Sequence, residues 1–213
     1  MGTEDIVSAM REVASRIAAS REYLGELDGE IGDGDHGTTM AKGFGAIVRA
    51  INEIDPETTD ISAFFALCAG TFLNAVGATA GPLYAAGFLR AAALAEGRDT
   101  MSAGEAPLLL AAIGEGIAAR GKAIAGDKTM LDVWLPVGQA ARELRKAGAP
   151  TPEAMAALAE AANRGAESTR TMTAARGRAA RLGERSLGHV DPGAASAAII
   201  VEGFVDTLSR RLG

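Results

Sequence analysis

Between Leu27 and Met40 the sequence reads Leu27-Asp28-Gly29-Glu30-Ile31-Gly32-Asp33-Gly34-Asp35-His36-Gly37-Thr38-Thr39-Met40, four acids and four glycines in fourteen positions. Asp28, Asp33 and Asp35 on one flexible loop repel each other unless cations neutralise them, and an all-oxygen donor set suits magnesium or calcium rather than zinc. EF-hand spacing fails, because the twelfth position counted from Asp28 or Asp33 is Thr39 or Phe44 and neither is the required glutamate. Gly32, Gly34 and Gly37 satisfy the dinucleotide fingerprint letter for letter. No strand pattern precedes them, however, and two aspartates stand where a pyrophosphate would lie. A solvated turn with helix-capping aspartates is the plain alternative. His36 to Thr39 open a helix whose free N–H groups suit phosphate oxygens. Carboxylates beside a helix N-terminus make most sense with a metal–phosphate complex between them, as in phosphoryl-transfer sites.

Gly121-Lys122-Ala123-Ile124-Ala125-Gly126-Asp127-Lys128-Thr129 nearly matches a P-loop, but Asp127 intrudes before Lys128 and no strand precedes it. It reads as a different nucleotide loop or as an interhelical turn. Small residues in Gly77-Ala78-Thr79-Ala80-Gly81-Pro82 permit close backbone approach. In the segment from Arg176 to Gly193, Arg178 and Arg185 are candidates to neutralise phosphate charge, against the plainer reading of surface pairs. His189 has no second histidine or cysteine nearby, so it reads as a loop brace rather than a transition-metal ligand.

The elements that must position these residues are helical. Aromatic residues are 4% of the chain, alanine and glycine are abundant, and strand-like alternation is nearly absent. Ile6, Met10, Val13 and Ile17 recur at helical spacing, as do Met40, Phe44, Ile47, Ile51 and Ile54. Breaks at 25–37, 55–60, 77–82, 97–102, 121–128, 148–152 and 182–192 leave about eight helices. The fold class is therefore all-α, an antiparallel up-and-down bundle or closed barrel of eight helices. Alternate connections then share one end, which gathers 25–37, 77–82, 121–128 and 182–192 into one functional site. Asp191-Pro192 and Thr151-Pro152-Glu153 read as helix N-caps followed by proline at the first helical position.

Composition bounds the function. Residues 1–213 read as a single domain, without a linker-like stretch. No apolar run reaches the ~20 residues of a membrane span, and Met1 to Ser20 is charged and amphipathic, so a cytoplasmic location is expected. Cys68 sits in an apolar run as core filler. A net charge of −6 with scattered basic residues argues against nucleic acid as a partner.

Glu30 to Gly37, Gly126-Asp127-Lys128-Thr129-Met130, and Gly177-Arg178 through Leu182-Gly183-Glu184-Arg185-Ser186-Leu187-Gly188-His189 with Asp191-Pro192-Gly193 resemble the nucleotide-binding L subunit of dihydroxyacetone kinase. The resemblance runs from end to end and implies a stand-alone subunit with an eight-helix barrel and the nucleotide at one end. It further implies that Asp28, Asp33 and Asp35 coordinate two magnesium ions holding the phosphates of ADP or ATP. His36, Gly37, Thr38 and Thr39 would line the phosphates. Thr79, Ala80, Gly121, Met130, Arg178, Asp191, Pro192 and Gly193 would complete the pocket, with Arg178 as the catalytic residue. One departure is Ala80, where the family usually carries serine; Thr79 offers a hydroxyl from the adjacent position.

The resemblance also implies division of labour. A separate K-type subunit would bind dihydroxyacetone or a related triose or tetrose through a histidine, and this chain would present the phosphoryl donor. That donor is either exchanging ATP or a retained ADP rephosphorylated by a phosphotransferase-system protein. A nucleotide-sensing module and a magnesium-dependent nucleotide hydrolase are the readings from other classes of function.

Overall fold

Apolar residues at helical spacing fold into nine α-helices among the described residues: α1 (Thr3–Ala19), α2 (Arg21–Ile31), α3 (His36–Ile51), α4 (Ile61–Ala75), α5 (Ala80–Leu94), α6 (Pro107–Gly121), α7 (Leu131–Ala147), α8 (Pro152–Ser168) and α9 (Pro192–Leu212). The structure is a computed structural model describing residues 1–77, 79–148 and 152–212, with backbone alone at 152–154, 211 and 212. No strand occurs among them. Helix α1 breaks at Ser20, yet α1 and α2 both pack between α3 and α9, so together they make one rod. Each rod then contacts the next in order and α9 closes on α1, giving the expected eight-rod antiparallel barrel. No described helix is long and apolar enough to cross a membrane.

The two periodic runs read from sequence face inward. Ile6, Met10, Val13, Ile17, Met40, Phe44 and Ile47 are all fully buried. Most of the few aromatic residues are buried in the core, where Tyr84 of α5 meets Phe44 of α3, Phe72 of α4 and Trp134 of α7 with ring centroids 5.3–6.4 Å apart. These bulky rings fill the core while small residues let the rods approach at the wall. At Gly116 of α6 a Cβ would collide with the Ala86 carbonyl of α5. Gly116→Ala is therefore expected to cost about 1–3 kcal/mol in urea unfolding. Gly70→Ala, where a Cβ meets nothing within 4 Å, should stabilise or be neutral.

Two connections differ from the sequence reading. The first break is confined to 32–35, because Gly25 and Gly29 are absorbed into α2. Helix α8 stops at Ser168 instead of running on toward Leu182, and 3-10 turns follow at Thr169–Thr171 and Ala179–Ser186. The cause is local: Ser168, Thr169 and Thr171 each donate a side-chain hydroxyl to a carbonyl three residues back, in competition with the helical ladder. The cap expected at Asp191 forms, its carboxylate accepting the Ala194 N–H at 2.8 Å. The cap expected at Thr151 lies outside the described residues.

Candidate functional site

The N-termini of α3, α5, α7 and α9 meet at one end of the barrel, around a cavity of about 650 Å³ lined by residues from all four. The C-terminal ends of α2, α4 and α6 reach the same cavity at Ile31, Ala75 and Gly121, so the free first-turn N–H groups of α3, α5, α7 and α9, rather than a net dipole, suit an anion there.

Asp28 projects from the last turn of α2 and is buried, whereas Asp33 and Asp35 are exposed on the loop after it. One oxygen from each lies within 4.8 Å of the others. Asp28 also accepts the His36 N–H at 3.2 Å, tying the carboxylate to the head of α3. Two glycines are required by this packing. A Cβ at Gly32 would strike the Asp28 carboxylate, and one at Gly37 would strike the Arg21 carbonyl where the first turn of α3 lies against the start of α2. His36 donates or accepts at Nε2 with Ser196 Oγ, 2.9 Å away. Burial pushes its imidazole below the ordinary value, against the opposing pull of Asp28 and the Pro192 backbone.

The basic side of the cavity comes from Lys42, Arg176 and Arg178, and Lys128 is also among the lining residues. Ile31, Ala174 and Ala179 form a small apolar cluster that docks the 174–182 segment on α2. Ser186 braces the same segment, accepting the Ala174 N–H at 2.9 Å and donating to the Gly183 carbonyl at 2.7 Å. Arg178 is thereby set over the acidic loop, where it pairs with Asp33 and stands 3.6 Å from Asp35. Arg176 reaches the other way, to Asp127 at 3.3 Å and the Lys122 carbonyl at 3.1 Å. An apolar wall is supplied by Leu83, Ile117, Ala123 and Met130. On the floor, burial pushes the Asp191 carboxyl up to about 7 although part of the residue opens to the cavity. The N–H of Ala194 and the charge of Lys128 oppose that shift.

Of the residues expected from sequence, Asp28, Asp35, His36, Thr39, Thr79, Ala80, Gly121, Met130, Arg178, Asp191, Pro192 and Gly193 line this one cavity. Asp33 belongs to the carboxylate cluster at its edge, Gly37 is buried behind it, and Thr38 and Arg185 are not among its lining residues. His189 approaches Glu30 at 3.6 Å, and its carbonyl accepts from Lys128. Lys42 and Arg176 are the basic residues that sequence reasoning left out. Lys42 had the available signal of standing one and a half turns into the helix headed by His36.

Residues 30–206 match the DAK2 domain, which is most of the chain. The chain belongs to the DAK2 domain family. It is 38% identical over 197 residues to the PEP-dependent dihydroxyacetone kinase, ADP-binding subunit DhaL, of Escherichia coli strain K12, covering 92% of this chain and 93% of that protein. The human triokinase/FMN cyclase is 32% identical over 202 residues, which are 93% of this chain but 34% of that protein. The native form of the dihydroxyacetone kinase of C. freundii superposes with a TM-score of 0.72 at 26% identity, covering 94% of this chain and 34% of the other. This DAK2 domain chain thus matches whole subunits in some relatives and a third of longer enzymes in others.

The donor set fits a hard divalent cation: among the described residues the cluster gathers three carboxylates and no sulfur or imidazole ligand. The cavity fits a nucleotide, with an acidic and a basic side at one end and an apolar wall beside them.

Proposed function

We propose that this chain, acting as one unit over residues 1–213, is the nucleotide-binding subunit of a small-ketose kinase. It presents the phosphoryl donor to dihydroxyacetone or a related ketose held on a separate K-type subunit. The observation that carries this reading is the carboxylate trio beside the N-terminus of α3, inside a cavity that four helix N-termini share. Asp28, Asp33 and Asp35 hold magnesium, and the head of α3, from His36 to Thr39, lines the phosphates, with the His36 amide already given to Asp28 and the Thr39 amide to the Asp35 carbonyl. Thr79, Ala80 and Gly121 permit close approach, Met130 packs on the base, and Asp191, Pro192 and Gly193 close the floor. Magnesium and nucleotide, when bound, supply the neutralising charge and the transferable phosphoryl group. Arg178 is poised over the loop to stabilise charge that grows during transfer, a task of positioning rather than of covalent chemistry.

We further propose that the nucleotide is a retained ADP, rephosphorylated in place by a phosphotransferase-system protein. Support comes from relatives matched over nearly their full length, which are named as ADP-binding subunits of PEP-dependent kinases. A docking requirement follows, since phosphoryl transfer between subunits has to exclude water. Ile124 and Leu187, large apolar side chains left exposed on two of the loops at this end, suit such a face.

Purified chain is expected to carry ADP at near one per molecule by mass spectrometry. With ATP and magnesium alone it should leave dihydroxyacetone and erythrulose unchanged. Ketose phosphate, followed by chromatography, should appear on adding a K-type subunit and the phosphoryl-carrying proteins. Robust turnover by the isolated chain would mean that it holds an acceptor site of its own.

A further inference from the structure

The lysine of the P-loop look-alike has no role in the reading above. Lys128 adopts φ +58°, a left-handed conformation uncommon for a residue with a side chain. Backbone strain of this kind persists where the surroundings fix it for a purpose. Its side chain is 1% exposed, and Nζ donates to the Thr169 carbonyl at 2.6 Å and to the His189 carbonyl at 2.5 Å. A P-loop lysine instead extends its ammonium to phosphate oxygens.

The two carbonyls belong to a hub. Thr169 is fully buried, and its hydroxyl accepts the Asp191 N–H at 2.9 Å while donating to the Ala166 carbonyl at 2.6 Å. Asp191 is therefore gripped on its own amide by Thr169 and, two residues earlier, through the His189 carbonyl by Lys128. The loop carrying Lys128 is fixed in turn by Asp132, which accepts the Gly126 N–H at 2.5 Å and the Thr129 N–H at 2.8 Å. A buried ammonium is costly unless bonded and near opposite charge. Asp191, when ionised, opposes the downward pull of burial on the lysine, and the two carbonyls supply the bonds.

We propose that Lys128 is a positioning residue: by holding the Thr169 and His189 carbonyls together, its ammonium sets Asp191, Pro192 and Gly193 against the 122–130 loop as one wall of the cavity. Its functional consequence rests on the nucleotide reading, and its structural one does not. Removing the ammonium leaves two inward-facing carbonyls short of a donor, and the wall loosens where it meets the ligand.

The test is Lys128→Met, read in two ways. In nucleotide-free protein, hydrogen exchange at the Asp191, Ala194 and Ala195 amides should quicken by at least about tenfold while α1 and α4 keep wild-type rates. ADP affinity should fall about 10–100-fold, the usual cost of losing a group that orients ligand-binding residues. Turnover at saturating nucleotide with a K-type subunit should stay within about threefold of wild type. Wild-type exchange at those three amides overturns the proposal, as does a loss of turnover as large as the loss of affinity, which would mark a direct phosphate contact. Should Lys128→Met fail to fold, Lys128→Gln, whose shorter neutral amide cannot bridge the Thr169 and His189 carbonyls, must give the same local quickening; unchanged exchange there overturns the proposal equally. Wild-type protein that binds no ADP defeats the nucleotide reading alone, since the exchange comparison still decides the role of Lys128.

Discussion

Asp33→Asn and Asp35→Asn are each expected to weaken magnesium-dependent ADP binding by more than about 100-fold, beyond the loss that accompanies an outer-shell contact. Both side chains are exposed loop carboxylates, one of whose oxygens lies within 4.8 Å of the others in the trio. Asparagine keeps the shape and one oxygen but removes the charge that draws a hard cation. Stability should change little, because exposed ion pairs contribute about 0–1 kcal/mol and like charges are being separated. Asp28 is a poorer choice for this experiment. It is buried, accepts the His36 N–H and packs against Gly32, so its loss confounds metal binding with loop structure. Calorimetric titration with ADP at fixed magnesium, alongside helical circular dichroism, decides the matter. Wild-type affinity in both variants would sink the metal reading.

Arg178→Ala is expected to lower turnover with a K-type subunit by about a thousandfold, in the range attributed to arginines that meet a transferring phosphoryl group. ADP affinity should drop by no more than about tenfold, because that charge grows most at the transition state. Without nucleotide the guanidinium pairs with Asp33 and lies 3.6 Å from Asp35, the carboxylates that a cation would need. The same variant should therefore bind bare magnesium more tightly than wild type, by titration without nucleotide. Equal losses in turnover and ADP affinity would make Arg178 a ground-state anchor instead.

Sequence by itself determined the helical class, the grouping of loops and the acidic centre. Periodicity in 6–17 and 40–51 survives any tertiary arrangement that buries one helical face, and an up-and-down chain must bring alternate connections to the same end. Asp33 and Asp35 are neighbours in sequence, and Asp28 is joined to them by only a few residues, so their repulsion and its remedy were legible without coordinates. Tertiary structure alone decided which cation goes where. Arg178 reaches the aspartates because Ile31, Ala174 and Ala179 dock the 174–182 segment on α2, while Arg185, beyond that segment, does not line the cavity. Lys128 resembles a phosphate ligand by spacing, yet its head is buried between carbonyls contributed 41 and 61 residues later. Such partners are fixed by burial and long-range hydrogen bonds, and no local pattern in the chain encodes them.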